Sequence, residues 1–308
     1  MKKIIDPIAI ELIEKELIPE RLLRRTNKGG NEIYVVDHLS APNTMREIGR
    51  LREIAFREGG GGTGKECDID SYDTMNPPCR QLIVWDPETK EITGGYRFIL
   101  GPDIKINDGI PRIATSHMFD FSEEFIRDYL PHTIELGRSF VRTEYQSTKS
   151  GAKAIFALDN LWDGLGALMV LNPGIKYLFG KVTMYPGYSK ICRNMILFFM
   201  NKHFPDPEHL VTPRNPLQTG MDTESLSRLF CGNDYREDYR ILNHSVREQG
   251  LNIPPLINAY MGLSPTMKMF GTAINDEFGN VEESGIFITL SEVFEEKKKR
   301  HIGTYNEA

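Results

Sequence analysis

The chain holds few of the residues that staple or anchor a protein. Its four cysteines, Cys67, Cys79, Cys192 and Cys231, have neither CxxC spacing nor the density of a disulfide scaffold, so they read as reduced thiols. No apolar run reaches the roughly 18 residues of a membrane span, and the start, MKKIIDPIAIELIEKEL, is too acidic for a signal peptide; both place the protein in the cytoplasm. GxSxG, HExxH and metal-spaced Cys/His clusters are all missing. The seven histidines are scattered, so neither a hydrolase triad nor a metal site is supported. Positive charge is also in short supply. Lys plus Arg number 37 against 43 Asp plus Glu, and the net charge of −6 disfavours nucleic acid as a partner.

What is present is an ordinary globular composition, 40% hydrophobic and 26% charged, over 308 residues. No repeat, low-complexity tract or linker divides it, so a single domain over 1–308 is expected, with a mostly helical insertion around 186–250. Apolar periodicity predicts a leading helix over 7–25 and a strand over 33–36. Thr44 and Glu47 form a capping box before a helix through Ile48, Leu51, Ala55 and Phe56. A hairpin follows at 82–85 and 92–100, then a short strand near Ile113 and a helix capped by Ser122. Next come a strand over 135–141, a long helix over 151–171 with Ile155, Leu158, Leu161, Trp162 and Leu165 as its stripe, and a strand over 177–184. Helices over 188–199, 224–230, 235–249 and 254–262 lead to last strands at 267–274 and 286–290 and a charged helix. This is a mixed α/β (α+β) pattern.

The run from Gly59 to Glu66 approaches the phosphate-binding GxxxxGK[ST] motif. A true P-loop follows a strand, opens a helix and carries a hydroxyl after its lysine. Here the loop follows a helix, Glu66 replaces the hydroxyl, and Asp68, Asp70 and Asp73 add negative charge. It reads as a glycine-rich loop; a P-loop-like nucleotide-binding protein is the alternative of another class.

The remaining charged residues on these elements are Arg52, Asp70, Asp73, Arg97, Glu135 and Arg138. Glu135 and Arg138 lie inside a strand otherwise fit for burial, where each is costly without a partner or a substrate. Arginines interleaved with carboxylates suit a small zwitterion: guanidinium grips a carboxylate, and Asp or Glu accepts protons from an amine. Structural ion pairs use the same residue types, and on these residues alone they are the commoner reading.

The ordered motifs Leu51-Arg52-x-x-Ala55-Phe56, Asp70-x-Tyr72-Asp73, Gly94-x-Tyr96-Arg97-Phe98 and Glu135-Leu136-Gly137-Arg138 resemble those of the acyl-homoserine-lactone synthases. They resemble equally the hemolysin-like N-acyltransferases that begin ornithine-lipid and glycine-lipid synthesis. The segments Leu161-Trp162-Asp163-Gly164 and Pro254-Pro255-Leu256-Ile257-Asn258-Ala259-Tyr260 tilt the likeness toward the lipid-forming branch, and within it toward the glycine N-acyltransferases. The resemblance implies the GNAT acyltransferase fold, a mixed, splayed central sheet flanked by helices. It further implies transfer of a long, 3-hydroxylated acyl chain from acyl carrier protein to the amine of glycine, with ornithine N-acylation or lactone synthesis as the neighbouring alternatives.

On that resemblance Glu135 is the general base and Asp70 and Asp73 orient the ammonium. Arg97 and Arg138 hold the acceptor carboxylate, and Arg52 either joins them or braces the acidic loop. Phe56 belongs to the substrate side, and a backbone amide near Phe140 or Val141 meets the oxyanion. No bound cofactor or metal is implied; the donor is the acyl-phosphopantetheine of the carrier, and peripheral contact with the inner face of a membrane is compatible with it. Coenzyme A-dependent GNAT enzymes carry a [RQ]xxGx[GA] turn after this strand, and the run from Gln146 to Ala152 departs from it. Ser150, Gly151 and Ala152 are therefore the candidates for the donor phosphate.

Overall fold

The computed structural model describes residues 1–146, 152–232 and 234–305. Its strands are β1 (Leu22–Arg25), β2 (Glu32–Val36), β3 (Arg80–Asp86), β4 (Glu91–Leu100), β5 (Ile106–Asn107), β6 (Ile110–Pro111), β7 (Phe119–Phe121), β8 (Thr133–Val141), β9 (Tyr177–Met184), β10 (Val211–Pro213), β11 (Lys268–Asn275) and β12 (Val281–Thr289). Its α-helices are α1 (Ile10–Glu16), α2 (Pro42–Glu58), α3 (Ser71–Thr74), α4 (Ala152–Leu171), α5 (Lys190–His203), α6 (Thr223–Leu229), α7 (Tyr235–Glu248), α8 (Pro255–Met261) and α9 (Glu295–His301). Eight strands form one sheet in the order β1-β2-β3-β4-β8-β9-β12-β11. Every pairing in it is antiparallel except β8 with β9.

Strand alternation sends side chains to both faces, and both are covered. Leu82 and Val84 of β3 join Leu161, Leu165 and Leu168 of α4 on one face. Ile83 and Trp85 join Met45, Ile48, Leu51 and Ala55 of α2 on the other. Of the stripe expected on α4, Leu161, Trp162 and Leu165 are buried; the side chains of Ile155 and Leu158 lie outside the described residues.

Several local expectations give way to longer-range contacts. The 42–58 helix starts at Pro42, two residues before the supposed Thr44–Glu47 capping box. The first-turn amides of Asn43 and Thr44 donate instead to the Glu16 carboxylate, 3.0 and 2.7 Å away, so the cap comes from α1. Glu47 turns to Arg50 and to the amide of Ile8. The strand placed near Ile113 is the β5–β6 hairpin just upstream, and Ser122 caps a single π turn, Phe125–Tyr129. The polar passage after α5 is pinned to the body, because β10 pairs with β7 and Pro216 bridges to Ala273. Helices α5, α7 and α8 supply Ile196, Phe199, Leu242, Val246 and Ile257 to the same core as the sheet.

Two irregularities of β8 set up the site. Gly95 pairs with Phe140 and Arg97 with Gly137, so Arg138 and Ser139 both stand opposite Tyr96 as a bulge. Arg138 takes φ +48°, the left-handed backbone that such a bulge permits. On its other edge β8 pairs with β9 only from Thr133↔Tyr177 to Glu135↔Phe179. Beyond Glu135 the two strands part, and a wedge opens between them.

Candidate active site

Two cavities meet in that wedge. An apolar chamber of about 560 Å³ is walled by Phe56, Tyr96, Leu136, Met184, Tyr188, Leu256 and Tyr260, among others. A polar chamber of about 480 Å³ is walled by Lys65, Asp70, Tyr72, Arg97, His117, Asn275 and Glu277. Among the described residues, Arg138, Lys181 and Phe278 line both. A smaller recess of about 340 Å³ adjoins the apolar chamber at Phe56, Ser139, Tyr185 and Leu256. It runs along Phe140 and Val141 to Tyr145 and Gln146.

The acidic motif organises the polar chamber. Asp70 caps α3 by accepting from the amides of Tyr72 and Asp73, and Asp73 returns the favour to the amide of Asp70, 3.1 Å away. This is a capping box built of two aspartates. Asp73 is wholly buried, with Arg52 Nη1 at 3.2 Å, Arg97 Nη1 at 3.3 Å and Gln81 Nε2 at 2.9 Å. Its acceptor capacity is used up, so it cannot orient a substrate ammonium. Arg52 is equally enclosed: it binds Asp73, Gln81 Oε1 and the Asp68 carbonyl, and it lines neither chamber. It braces the acidic loop and does not touch substrate.

Asp70 differs. Both its oxygens lie 2.7 Å from Arg97 Nη1, yet its side chain stays 20% exposed in the polar chamber. Burial pushes this carboxyl up, but the guanidinium of Arg97, with help from Arg138, holds it well below the usual carboxylate range. Arg97 is committed to Asp70 and Asp73 through Nη1, while its buried Nε lacks a hydrogen-bond partner. Arg138 reaches Asp68 Oδ2 at 2.9 Å through Nε and lies 4.3 Å above the Phe278 ring centroid. Its Nη2 stands 3.6 Å from Asp70, at the junction of the chambers, with donor capacity left over.

Glu135 is the deepest of the charged residues on β8. It is 1% exposed, lines neither chamber, and neither oxygen has a hydrogen-bond partner. Burial pushes its carboxyl above the ordinary range, against the pull of Arg97 and Lys181. Across the wedge, Lys181 of β9 pairs with Glu283 of β12, which also accepts from Thr183 Oγ1 at 3.1 Å and Asn275 Nδ2 at 3.0 Å. Burial lowers the Lys181 ammonium pKa, and attraction to Glu283 offsets this only in part. Sequence reasoning missed this pair. Its signal was a lysine on the same strand face as buried Phe179, in the register that faces Gly285 of the last strand.

In the apolar chamber Phe56 packs edge-on to Phe278 at 5.0 Å. The Tyr96 hydroxyl is buried without a hydrogen bond of normal geometry, beside the hydroxyls of Ser139 and Tyr260. Phe140 and Val141 line the recess. Ser150 and Gly151 lie outside the described residues, and Ala152 is the first residue of α4.

The glycine-rich loop is no phosphate cradle. The Thr63 and Gly64 amides donate to the buried Glu53 carboxylate at 3.1 and 2.7 Å, and Arg57 Nε closes the cluster at 2.7 Å. With the Thr63 and Gly64 amides spent on a carboxylate of the same chain, the loop does not form the amide cradle of a P-loop, and that alternative is unsupported. Among the described residues no group of His, Cys, Asp or Glu has metal-site geometry, and no helix is long and apolar enough to cross a membrane.

Comparison with known proteins identifies the family. The family description "Acetyltransferase (GNAT) domain" matches residues 51–154, from α2 to the start of α4. A glycine N(alpha)-acyltransferase of Bacteroides thetaiotaomicron is 60% identical over 100% of this chain and 92% of its own length. A protein of the same name from Phocaeicola vulgatus is 58% identical over 99% of this chain and 94% of its own. Among solved structures, the AHL synthase LasI aligns over 91% of this chain and 99% of its own, with 11% identity and a TM-score of 0.41. An acyltransferase of the GNAT fold, the chain belongs to the glycine N(alpha)-acyltransferase family.

Proposed function

We propose that this protein moves a long-chain, 3-hydroxylated acyl group from acyl carrier protein to the amine of glycine, the first step of an amino-acid lipid. The observation that carries the proposal is the meeting of an apolar and a polar chamber where β8 and β9 part. An acyl chain in the first and a zwitterion in the second bring a thioester carbonyl and an amine together in the wedge. The recess along Phe140 and Val141 gives the donor arm its way in. The Tyr96, Ser139 and Tyr260 hydroxyls, grouped on the wall of the apolar chamber, support a hydroxylated chain. The names of the two close relatives support glycine as acceptor.

In this mechanism Arg138 takes the glycine carboxylate, while Asp70, polarised by Arg97, faces the ammonium. Glu135, which lines neither chamber, removes one proton through a bridging water, and the free amine attacks the thioester carbonyl. A backbone amide at Phe140 or Val141 receives the oxyanion, and no acyl-enzyme is needed. The donor is a substrate; no resident cofactor takes part.

Purified protein given an acyl-carrier thioester and glycine should release free thiol and form N-acyl glycine. Absence of thiol release with glycine, serine and ornithine alike would overturn the enzyme reading, and carrier binding without transfer would mark a non-catalytic binder. Replacing the carrier by coenzyme A separates the two donors, and a faster reaction with ornithine would reassign the acceptor.

A further inference from the structure

We infer that Lys181 is a catalytic residue, the general acid that protonates the leaving thiolate of the donor. This rests on the acyl-transfer reading above and concerns the half of the reaction that Glu135 does not serve. A thioester that loses its acyl group to an amine expels sulfur as a thiolate, which needs a proton as the C–S bond breaks. The donor sulfur must sit where the two chambers join, because the carbonyl there is shared by the acyl chain and the acceptor.

Three described residues line both chambers. Phe278 carries no proton to give, and the guanidinium of Arg138 does not release one in a protein. That leaves the Lys181 ammonium. It stands on β9 across the wedge from β8, and a Cβ added at Gly137 would meet nothing within 4 Å, so the gap is open for a reacting group. Glu283 keeps the lysine charged in a site where its side chain is only 8% exposed. Glu283 is itself fixed by Thr183 and Asn275, so the ammonium is aimed and not free to wander. A purely structural ion pair has no need to open onto both cavities.

The atoms balance. Glu135 takes one proton from the acceptor ammonium, the nitrogen lone pair forms the C–N bond, and the tetrahedral intermediate then loses a second N–H proton through the polar chamber. The C–S pair leaves with sulfur, which takes the Lys181 proton. Lys181 recovers a proton from Glu135 or from water in the polar chamber. The sum is one amide, one thiol and one proton released.

The test varies the leaving group. The same acyl chain is supplied to the full-length protein as its N-acetylcysteamine thioester and as its thiophenyl thioester, whose thiol is more acidic and needs no acid catalyst. Lys181→Met should slow transfer from the alkyl thioester by about 100-fold or more, and from the aryl thioester by roughly 10-fold or less. Lys181→Met with Glu283→Gln removes the orphaned buried carboxylate and should show the same pattern, which guards against misfolding of the single variant. The wild type adds an independent readout, a rate nearly insensitive to thiol acidity across a thioester series. Equal slowing of both donors, or a wild-type rate that climbs steeply with thiol acidity, would overturn the inference while leaving the acyl-transfer reading intact. No transfer by the wild type from either donor, nor from the acyl-carrier thioester run beside them, would overturn both.

Discussion

Arg52 and Arg138 belong to one charged cluster and pair with neighbouring aspartates, yet they sit in opposite situations. Arg52 is sealed between α2, β3 and the acidic loop, with carboxylate, amide and carbonyl partners around it. Arg138 is lifted by the β8 bulge to the joint of two cavities, with Nε on Asp68, Nη2 near Asp70 and donor capacity left over. The first arginine builds the loop that carries Asp70; the second is placed to meet a ligand. Hydrogen-bond capacity left over beside a cavity, and not charge or burial, separates a working residue from a brace.

The comparison breaks first at Arg52. Arg52→Met leaves Asp73 buried with weaker compensation and should cost roughly 3–5 kcal/mol in urea unfolding. Retained stability with lost transfer would put Arg52 in the site after all. Glu135→Gln should lower turnover by about 100-fold or more. The sign of its stability effect is opposite. A carboxyl whose folded pKa is raised gives stability below its ordinary unfolded value, and that stability is lost as pH rises through the folded pKa. At neutral pH the buried, unpaired Glu135 carboxyl is therefore a burden, and Glu135→Gln should melt a few degrees higher. The same shift predicts that transfer falls as pH drops through a value above the usual carboxylate range, and that this limb vanishes in the variant.

Arg138→Met comes next, with the fold kept and acceptor use weakened by roughly 10- to 100-fold, read mainly in the glycine KM. A change confined to the acyl-donor KM would move Arg138 to the other substrate. Gly137→Val places two methyls in the empty joint. It should leave the melting temperature within a few degrees and slow transfer by about 10-fold. Unchanged rates would show that reacting groups do not pass there.

Much of the sheet was legible because β3, β4 and β8 carry β-branched and aromatic residues between turn signals, and the order of the charged motifs marked the elements that carry the site. What the motifs could not convey was which charge faces which. Asp70 and Asp73 look alike in sequence, and only the capping box of α3 turns one outward and locks the other in. The start of α2 was misplaced because its cap, Glu16, lies 27 residues upstream of Asn43. Lys181 went unseen because it is a lone charge in its strand, and Glu283 because it stands beside Glu282 with nothing to set it apart; their partnership exists only in the β9–β12 register.

The most direct test of the two-chamber account is a crystal structure with N-acyl glycine bound. The account predicts the product carboxylate on the Arg138 guanidinium in the polar chamber, the amide in the wedge, and the alkyl chain along Leu136, Met184 and Tyr260. A product whose chain lies in the polar chamber, or whose carboxylate avoids Arg138, would contradict it.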